Sequence, residues 1–201
     1  MGTSVIFWSL TIFVTGVLGV FFALFERKKI AVEQIVIIAA LSSLATVGRL
    51  VFSPIPSVQP ASFLIMSTGL IFGAEMGFMS GAIAALASNM ILGQGLWTPW
   101  QMFSWGMMGL SAGLFAGILQ KSAFFRCFFG FAWGFLFGWI MNLGVMVFAV
   151  GGERSWGLFL ATCAASFVMD AAHGAGNALL FGWLGAPVLK VLRRITLKYG
   201  L

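Results

Sequence analysis

The sequence predicts an all-α integral membrane protein that crosses the bilayer about seven times. Of its 201 residues, 61% are hydrophobic and only 8% are charged, whereas a soluble domain carries about 25% charged residues. The mean hydropathy is +1.05, and each membrane helix needs about 20 apolar residues. Seven apolar segments with short connections therefore account for the chain and leave no room for a separate soluble domain.

The seven segments follow one another with few polar residues between them. The first has no basic residue before it, unlike a cleavable secretory signal, and is predicted to be a retained span. The third and fourth are separated only by Gly73-Ala74-Glu75, which predicts a tight hairpin. The last is long enough to tilt or to run past the membrane. The predicted segments are residues 4–25, 31–52, 60–73, 75–93, 101–119, 124–149 and 158–189.

Basic residues cluster at alternate segment ends and predict the orientation. With the N-terminus outside and the C-terminus in the cytoplasm, nine of the eleven Lys and Arg residues lie on the inner side, as the positive-inside rule requires. Only Arg49 and Arg154 lie outside. The net charge of +6 therefore reflects insertion into a cell membrane, and no nucleic-acid partner is expected. The inner residues are Arg27, Lys28, Lys29, Lys121, Arg126, Lys190, Arg193, Arg194 and Lys198.

Three outer loops collect polar, aromatic and turn-forming residues. The first, residues 52–59, is stiffened by prolines and ends in Gln59. The second covers residues 93–100, and the third, residues 151–156, holds Glu153 and Arg154. This contrast with the short, basic inner ends suggests that a ligand is captured from outside.

The strongest candidate site is the tryptophan-rich segment at residues 93–105. An interfacial aromatic belt explains the tryptophans, but not the amide side chains and the Gly-x-Gly frame beside them. Aromatic faces with a few amide groups suit a flat, mostly apolar ligand. Both interpretations remain open at this stage. The candidate residues are Gln94, Trp97, Trp100, Gln101 and Trp105.

A second candidate group lies in the last segment, where Asp170, His173 and Asn177 are spaced to share one helix face. Ionisable side chains inside a membrane are costly and usually face a cavity or a partner. They are interpreted as ligand-binding groups or a proton relay, with an internal Asp170–His173 hydrogen bond as the structural alternative.

Three further polar side chains complete the candidate ligand site. Arg49, at the outer end of the second segment, is expected to pair with Asp170 or with an anionic ligand group, unless it extends to the outer headgroups. Asn89 and Asn142 are amides within spans, and each also fits a helix-to-helix hydrogen bond. No catalytic residue, metal site or cofactor is predicted for this chain.

Small residues on the second segment suggest a contact surface for another membrane protein. Ala39, Ala40 and Ser43 lie near its inner half, and small side chains let helices approach closely. The fourth segment is similarly rich in Gly and Ala, and packing within the chain explains both equally well. Cys127 and Cys163 are isolated and are interpreted as packing residues.

In these features the chain resembles the substrate-binding S component of energy-coupling factor (ECF) vitamin transporters. The resemblance covers roughly residues 31–190, so residues 30–201 are expected to form a six-helix S-component-like core and residues 1–29 an extra N-terminal transmembrane helix. In that family, a vitamin is bound beneath the outer loops. The family's Ala-x-x-x-Ala motif, which contacts the transmembrane coupling subunit, is matched by Ala39-x-x-x-Ser43.

The resemblance also implies partners and a substrate. Two cytoplasmic ATPase subunits and the coupling (T) subunit are expected to supply the energy from ATP, since this chain has no Walker motif. The segment 93–102, Gly-Gln-Gly-Leu-Trp-Thr-Pro-Trp-Gln-Met, looks like S components for cobalamin or a corrinoid precursor. S components for riboflavin, thiamine or a queuosine-type compound are the alternatives.

Two other function classes are open. A rhomboid-like intramembrane serine protease would use His173 with Ser80, but the Gly-Phe-Met-Ser-Gly sequence around Ser80 is one residue longer than the expected turn. A secondary transporter working alone would use Asp170 and His173 as its proton relay.

Overall fold

The computed structural model describes residues 2–148 and 155–200, and within these ranges the chain is helical, without strands. The helices are α1 (Gly2–Arg27), α2 (Val32–Phe52), α3 (Pro60–Phe72), α4 (Ala74–Leu92), α5 (Thr98–Leu114), α6 (Ala116–Leu119), α7 (Ala123–Phe148), α8 (Trp156–Trp183) and α9 (Gly185–Tyr199). The predicted fold class is therefore confirmed. Residues 151–154 of the predicted third outer loop, including Glu153 and Arg154, lie outside the described ranges.

The described helices differ in their capacity to cross a bilayer. Five of them, α1, α2, α4, α7 and α8, are long and apolar enough to do so. Helix α3 is apolar but has only 13 residues, and α5 has 17. The bundle thus combines full-length spans with two shorter helices at its centre.

The last predicted segment ends differently from its prediction. Residues 158–189 form nearly all of α8 and the start of α9, with a break at Leu184 (φ −100°, ψ −10°). Pro187, three residues further on, has no N–H to continue the hydrogen-bond ladder. Helix α9 is amphipathic, burying Leu189 and Leu192 while it packs against α3 and α8.

The α3–α4 hairpin is as tight as the sequence predicts. Only Gly73 separates the two helices, and its φ of +97° lies in a region that residues with a β-carbon rarely adopt. This one-residue connection forces the two helices to run side by side.

Glycines bring α4 against α5 at backbone contact. A β-carbon at Gly77 would collide with the carbonyl oxygen of Gly109, and one at Gly81 would collide with that of Trp105. Gly69 of α3 meets the same Gly109 carbonyl. The small residues of the fourth span therefore serve packing within the chain.

Helix α1 lies against the bundle along one narrow face. Val14 and Leu18 are buried, and the Phe21 ring stacks on Phe78 of α4 with 3.9 Å between centroids. Its other apolar side chains, such as Ile12 and Val20, are exposed, as expected for a helix that faces lipid tails.

Candidate functional site

Arg49 joins α2 to α4 near one end of the bundle. Its Nη1 donates to Oγ of Ser88 at 2.5 Å and to Oδ1 of Asn89 at 2.6 Å. A charged donor makes these stronger than neutral hydrogen bonds. Arg49 is thus held inside the bundle by α4, and it neither extends to the headgroups nor pairs with Asp170; the one ion pair among the described residues is Lys28–Glu75 at 2.7 Å.

Asn89 extends the network to α5. Its side chain is fully buried, and its Nδ2 donates to Oε1 of Gln101 at 2.8 Å and to Oγ1 of Thr98 at 3.1 Å. Thr98 in turn donates to Oε1 of Gln94 at 2.8 Å. Asn89 and Gln101 are therefore brought together with Arg49, with Gln94 at the solvent-exposed edge.

Trp105 connects this group to α3 and α8. The Arg49 guanidinium lies 5.1 Å from the Trp105 ring centroid, within cation–π range. The indole Nε1 donates to Oγ of Ser62 at 3.2 Å, and Ser62 lies 2.8 Å from Nε2 of His173. The edge of His173 meets Phe137 of α7.

These groups form one continuous cluster, called here the buried polar network, which draws on five helices. Its members are Arg49, Ser62, Ser88, Asn89, Thr98, Gln101, Trp105 and His173. It combines cationic, amide, hydroxyl, imidazole and indole groups, the kinds of side chain that fix and orient small ligands.

The network lies where α3 and α5 begin and where α2 and α4 end, whereas α8 continues past it. Ser62 is near the start of α3, whereas its partner His173 lies 17 residues after the first residue of α8, Trp156. At 1.5 Å per residue, α8 extends about 25 Å beyond the network. The polar groups thus lie at the ends of the central helices, with α8 rising beside them.

The other two candidate tryptophans have different environments. Trp97 is 49% exposed, whereas Trp100 is 2% exposed and packs so closely on α7 that a β-carbon at Gly144 would lie 2.7 Å from its ring. The three tryptophans therefore do not form one aromatic surface. Gln59, just before α3, has a buried Oε1 without a partner among the described residues.

Asp170 and Asn142 belong to a second cluster, between α7 and α8. Oδ2 of Asp170 accepts from Ser166 at 2.9 Å, and Nδ2 of Asn142 donates to the same Ser166 hydroxyl at 3.0 Å. The Asp170 carboxylate lies against Gly138 of α7. The Asp170–His173 hydrogen bond considered as the structural alternative is not formed; Asp170 bonds to Ser166 and His173 to Ser62.

Asn177 is separate from both clusters. Its Nδ2 donates to the carbonyl oxygen of Gly130 at 3.0 Å, which is the helix-to-helix hydrogen bond that polar residues often make inside membranes. Asn177 therefore shares a helix with His173 but not its environment.

The candidate docking residues lie on the outside of the bundle. Ala39, Ala40 and Ser43 are exposed on α2, together with large apolar neighbours such as Val36 and Val47. This face of α2 is exposed among the described residues, and Val36 and Ala40 also line a cavity together with Ile195 and Tyr199 of α9.

The geometry does not support the protease alternative. Ser80 is fully buried and its recorded side-chain partner is Ser42, at 3.4 Å. His173 is hydrogen-bonded to Ser62 of α3 instead, so the Ser80–His173 pair that such a protease would need is not formed among the described residues. No cluster of three or more potential metal ligands occurs among the described residues.

Sequence reasoning missed three members of the network: Thr98 at the start of α5 and the two in-helix serines, Ser62 and Ser88. Both serines carry a hydroxyl within an apolar helix. Such a hydroxyl usually donates a hydrogen bond to a backbone carbonyl of the preceding turn, as Ser88 also does to Ala84. Only the position of Ser62 two residues after Pro60, at the start of a span, distinguishes it in the sequence.

Comparisons with known proteins agree with this architecture. The profile of the family described as ECF-type riboflavin transporter, S component, matches residues 29–193. Among curated proteins, the chain is similar to a UPF0397 protein of Aliivibrio fischeri strain MJ11, 25% identical over 183 residues that cover 82% of this chain and 92% of the relative. A UPF0397 protein of Aliivibrio fischeri strain ATCC 700601 / ES114 gives the same values. No solved structure matches.

Proposed function

The chain belongs to the family of S components of ECF-type riboflavin transporters, and on that premise we propose that its buried polar network binds a flat, heteroaromatic vitamin. As a member of this family it is a multi-pass membrane protein and a substrate-binding subunit of an ECF transporter. Membership implies a transmembrane T subunit and ATPase subunits as partners. This chain then binds the substrate, and its partners hydrolyse ATP.

The observation that carries the proposal is the Arg49–Asn89–Gln101 hydrogen-bond chain beside the Trp105 ring. Amide groups match the alternating carbonyl and N–H groups on the edge of a heteroaromatic ring, and an indole offers a face for stacking. A ligand with matching groups can replace the internal hydrogen bonds without leaving a buried polar atom unpaired, which would be costly.

Riboflavin is the first candidate substrate. The family description names it, and its isoalloxazine ring has one polar edge and one apolar edge. The polar edge suits Arg49, Asn89 and Gln101, and the apolar edge suits aromatic neighbours such as Phe137.

Cobalamin or a corrinoid precursor is the second candidate. It is favoured by the half-exposed Trp97 and the exposed Gln94 beside it, at the open edge of the network. A broad, flat corrin ring would lie across this edge. The burial of Trp100 and Trp105 removes two of the three rings from such a surface.

Both candidates are tested by one titration. Purified protein in detergent is titrated with riboflavin and, separately, with cobalamin, and binding is followed by the quenching of tryptophan fluorescence. Binding of either vitamin that is weakened in an Arg49→Met variant and preserved in an Asn142→Leu variant supports the network as the site. Equal binding by both variants, or no binding of either vitamin by the parent, contradicts it.

We also propose an orientation and a docking face. The distribution of Lys and Arg favours an outside N-terminus and a cytoplasmic C-terminus in the plasma membrane of a prokaryote, which places the start of α3 and α5, and with it the network, toward the outside. The exposed face of α2 around Ala39, Ala40 and Ser43 would contact the T subunit. Cysteine labelling at Ser57 and at Ser122 with a membrane-impermeant maleimide tests the orientation, because only Ser57→Cys should react in intact cells.

A further inference from the structure

A basic cavity lies at the end of the bundle opposite the buried polar network, between the start of α7 and helix α9. Its volume is about 490 Å³. Apart from two leucines, its lining residues are polar, basic or small: Gln120, Arg126, Ala186, Lys190, Arg193 and Arg194. None of the lining residues is acidic, so the cavity concentrates positive charge.

Arg126 is the most informative of these residues. It is 8% exposed, and its Nη1 donates to the carbonyl oxygens of Leu119 at 2.9 Å and Gln120 at 3.4 Å. Its Nε is buried without a hydrogen-bond partner among the described residues. A buried cation without a counter-charge is strongly unfavourable, so the cavity is suited to an anion.

The remaining basic residues come from one face of α9. Nη2 of Arg193 donates to Oε1 of Gln120 at 3.2 Å, which fixes α9 to the loop before α7. Lys190 and Arg194 are exposed on the same turns and have no carboxylate on the lining. Guanidinium and ammonium groups together are well suited to phosphate oxygens.

Helix α9 places this cavity at the level of lipid headgroups. It buries Leu189 and Leu192 against the bundle and exposes the apolar Val191 and Leu197. An amphipathic helix with basic residues on its polar side typically lies in the membrane interface. The positive-inside rule predicts that this is the cytoplasmic leaflet, which is rich in anionic lipids.

We propose that this cavity binds the phosphate group of an anionic phospholipid. The headgroup phosphate accepts hydrogen bonds from Arg126, Lys190 and Arg194, and the acyl chains continue past the exposed Leu197 at the rim of the cavity. The site is separate from the vitamin site, so the proposal does not depend on the proposed substrate.

The test measures lipid retention and stability in nanodiscs. The protein is placed in phosphatidylcholine alone or with added phosphatidylglycerol, and retained lipid is counted by native mass spectrometry. The Lys190→Gln/Arg194→Gln variant should retain about tenfold less phosphatidylglycerol, since each basic residue near an anionic surface contributes a several-fold preference. The matched Arg27→Gln/Lys29→Gln variant has the same net charge but removes no residue of the cavity or of α9, so it should lose clearly less phosphatidylglycerol than the cavity variant.

A second variant removes space instead of charge. Ala186 is exposed and lines the cavity, so Ala186→Phe should also lower retention of phosphatidylglycerol while leaving the unfolding temperature in phosphatidylcholine unchanged. Equal retention by the parent and both cavity variants would overturn the proposal, as would equal retention of the two lipids by the parent.

Added inorganic phosphate distinguishes the two sources of the phosphate group. If phosphate in phosphatidylcholine nanodiscs raises the unfolding temperature of the parent but not of Lys190→Gln/Arg194→Gln, the site takes free phosphate as well. If only phosphatidylglycerol does so, the ligand is the lipid headgroup. Stabilisation that is the same in parent and variant for both ligands would count against the site.

Discussion

Oδ1 of Asn89 lies 2.6 Å from Nη1 of Arg49, and this contact ties the guanidinium of α2 to an amide on α4 that is fully buried. Replacing Asn89 with Leu leaves Arg49 with one acceptor fewer in a water-poor environment. We expect this to cost about 1–3 kcal/mol of stability and to weaken vitamin binding. Thermal unfolding and a fluorescence titration measure the two effects.

The matched control is Asn142→Leu. Asn142 is also an in-span amide, but it bonds to Ser166 between α7 and α8. Loss of the Asn142 amide should lower the unfolding temperature and leave the dissociation constant of the vitamin unchanged. Equal weakening of binding in both variants would mean that the effect reflects general destabilisation.

The two tryptophans at the start of α5 should respond differently to truncation. Trp100 is buried against Gly144, so Trp100→Ala should cost about 3–5 kcal/mol. Trp97 is 49% exposed, so Trp97→Ala should leave the unfolding temperature nearly unchanged. If the ligand covers this edge, Trp97→Ala will still weaken binding, as measured by titration. A Trp100→Ala variant as stable as the parent would contradict the packing.

The backbone contact between α4 and α5 predicts a sharp contrast among glycines. Gly77→Ala places a β-carbon against the carbonyl oxygen of Gly109 and should destabilise the bundle by about 1–3 kcal/mol through overpacking. Gly19 of α1 has nothing within 4 Å of its hypothetical β-carbon, so Gly19→Ala is the control and should be neutral or stabilising. Thermal unfolding in detergent compares the two, and similar shifts would refute the close approach.

The sequence predicted most of the fold because membrane helices must satisfy their own backbone and face an apolar solvent. Composition alone therefore revealed the helices, and Gly73 revealed the tightest turn. The break at Leu184 was not predicted, because the buried apolar residues of α9, Leu189 and Leu192, made the apolar segment look continuous. The local signal for this break is Pro187, three residues beyond Leu184, which has no N–H for the helical hydrogen-bond ladder.

The members of the buried polar network were easier to identify from the sequence than their grouping, and their role in ligand binding stays a prediction. Arg49, Asn89, Gln101 and Trp105 stand out because polar and aromatic groups in spans are few. Helical spacing grouped Asp170 with His173, yet Asp170 forms its hydrogen bond with Ser166 and His173 forms its own with Ser62. Helix periodicity defines a face, but the neighbours of that face depend on how the other helices are arranged.

The exposed face of α2 predicts a separation between binding and transport. Ala39→Trp adds a large side chain where the proposed T subunit docks, and Ala39 is exposed, so the isolated protein accommodates it. We expect vitamin uptake by cells that carry the whole transporter to fall to background, with the affinity of the purified chain unchanged. Val145 is a comparable exposed position on α7, and Val145→Trp should leave uptake intact. Uptake that survives Ala39→Trp would exclude this face as the docking surface, whereas loss of both uptake and binding would indicate misfolding, which the unfolding temperature of the variant detects.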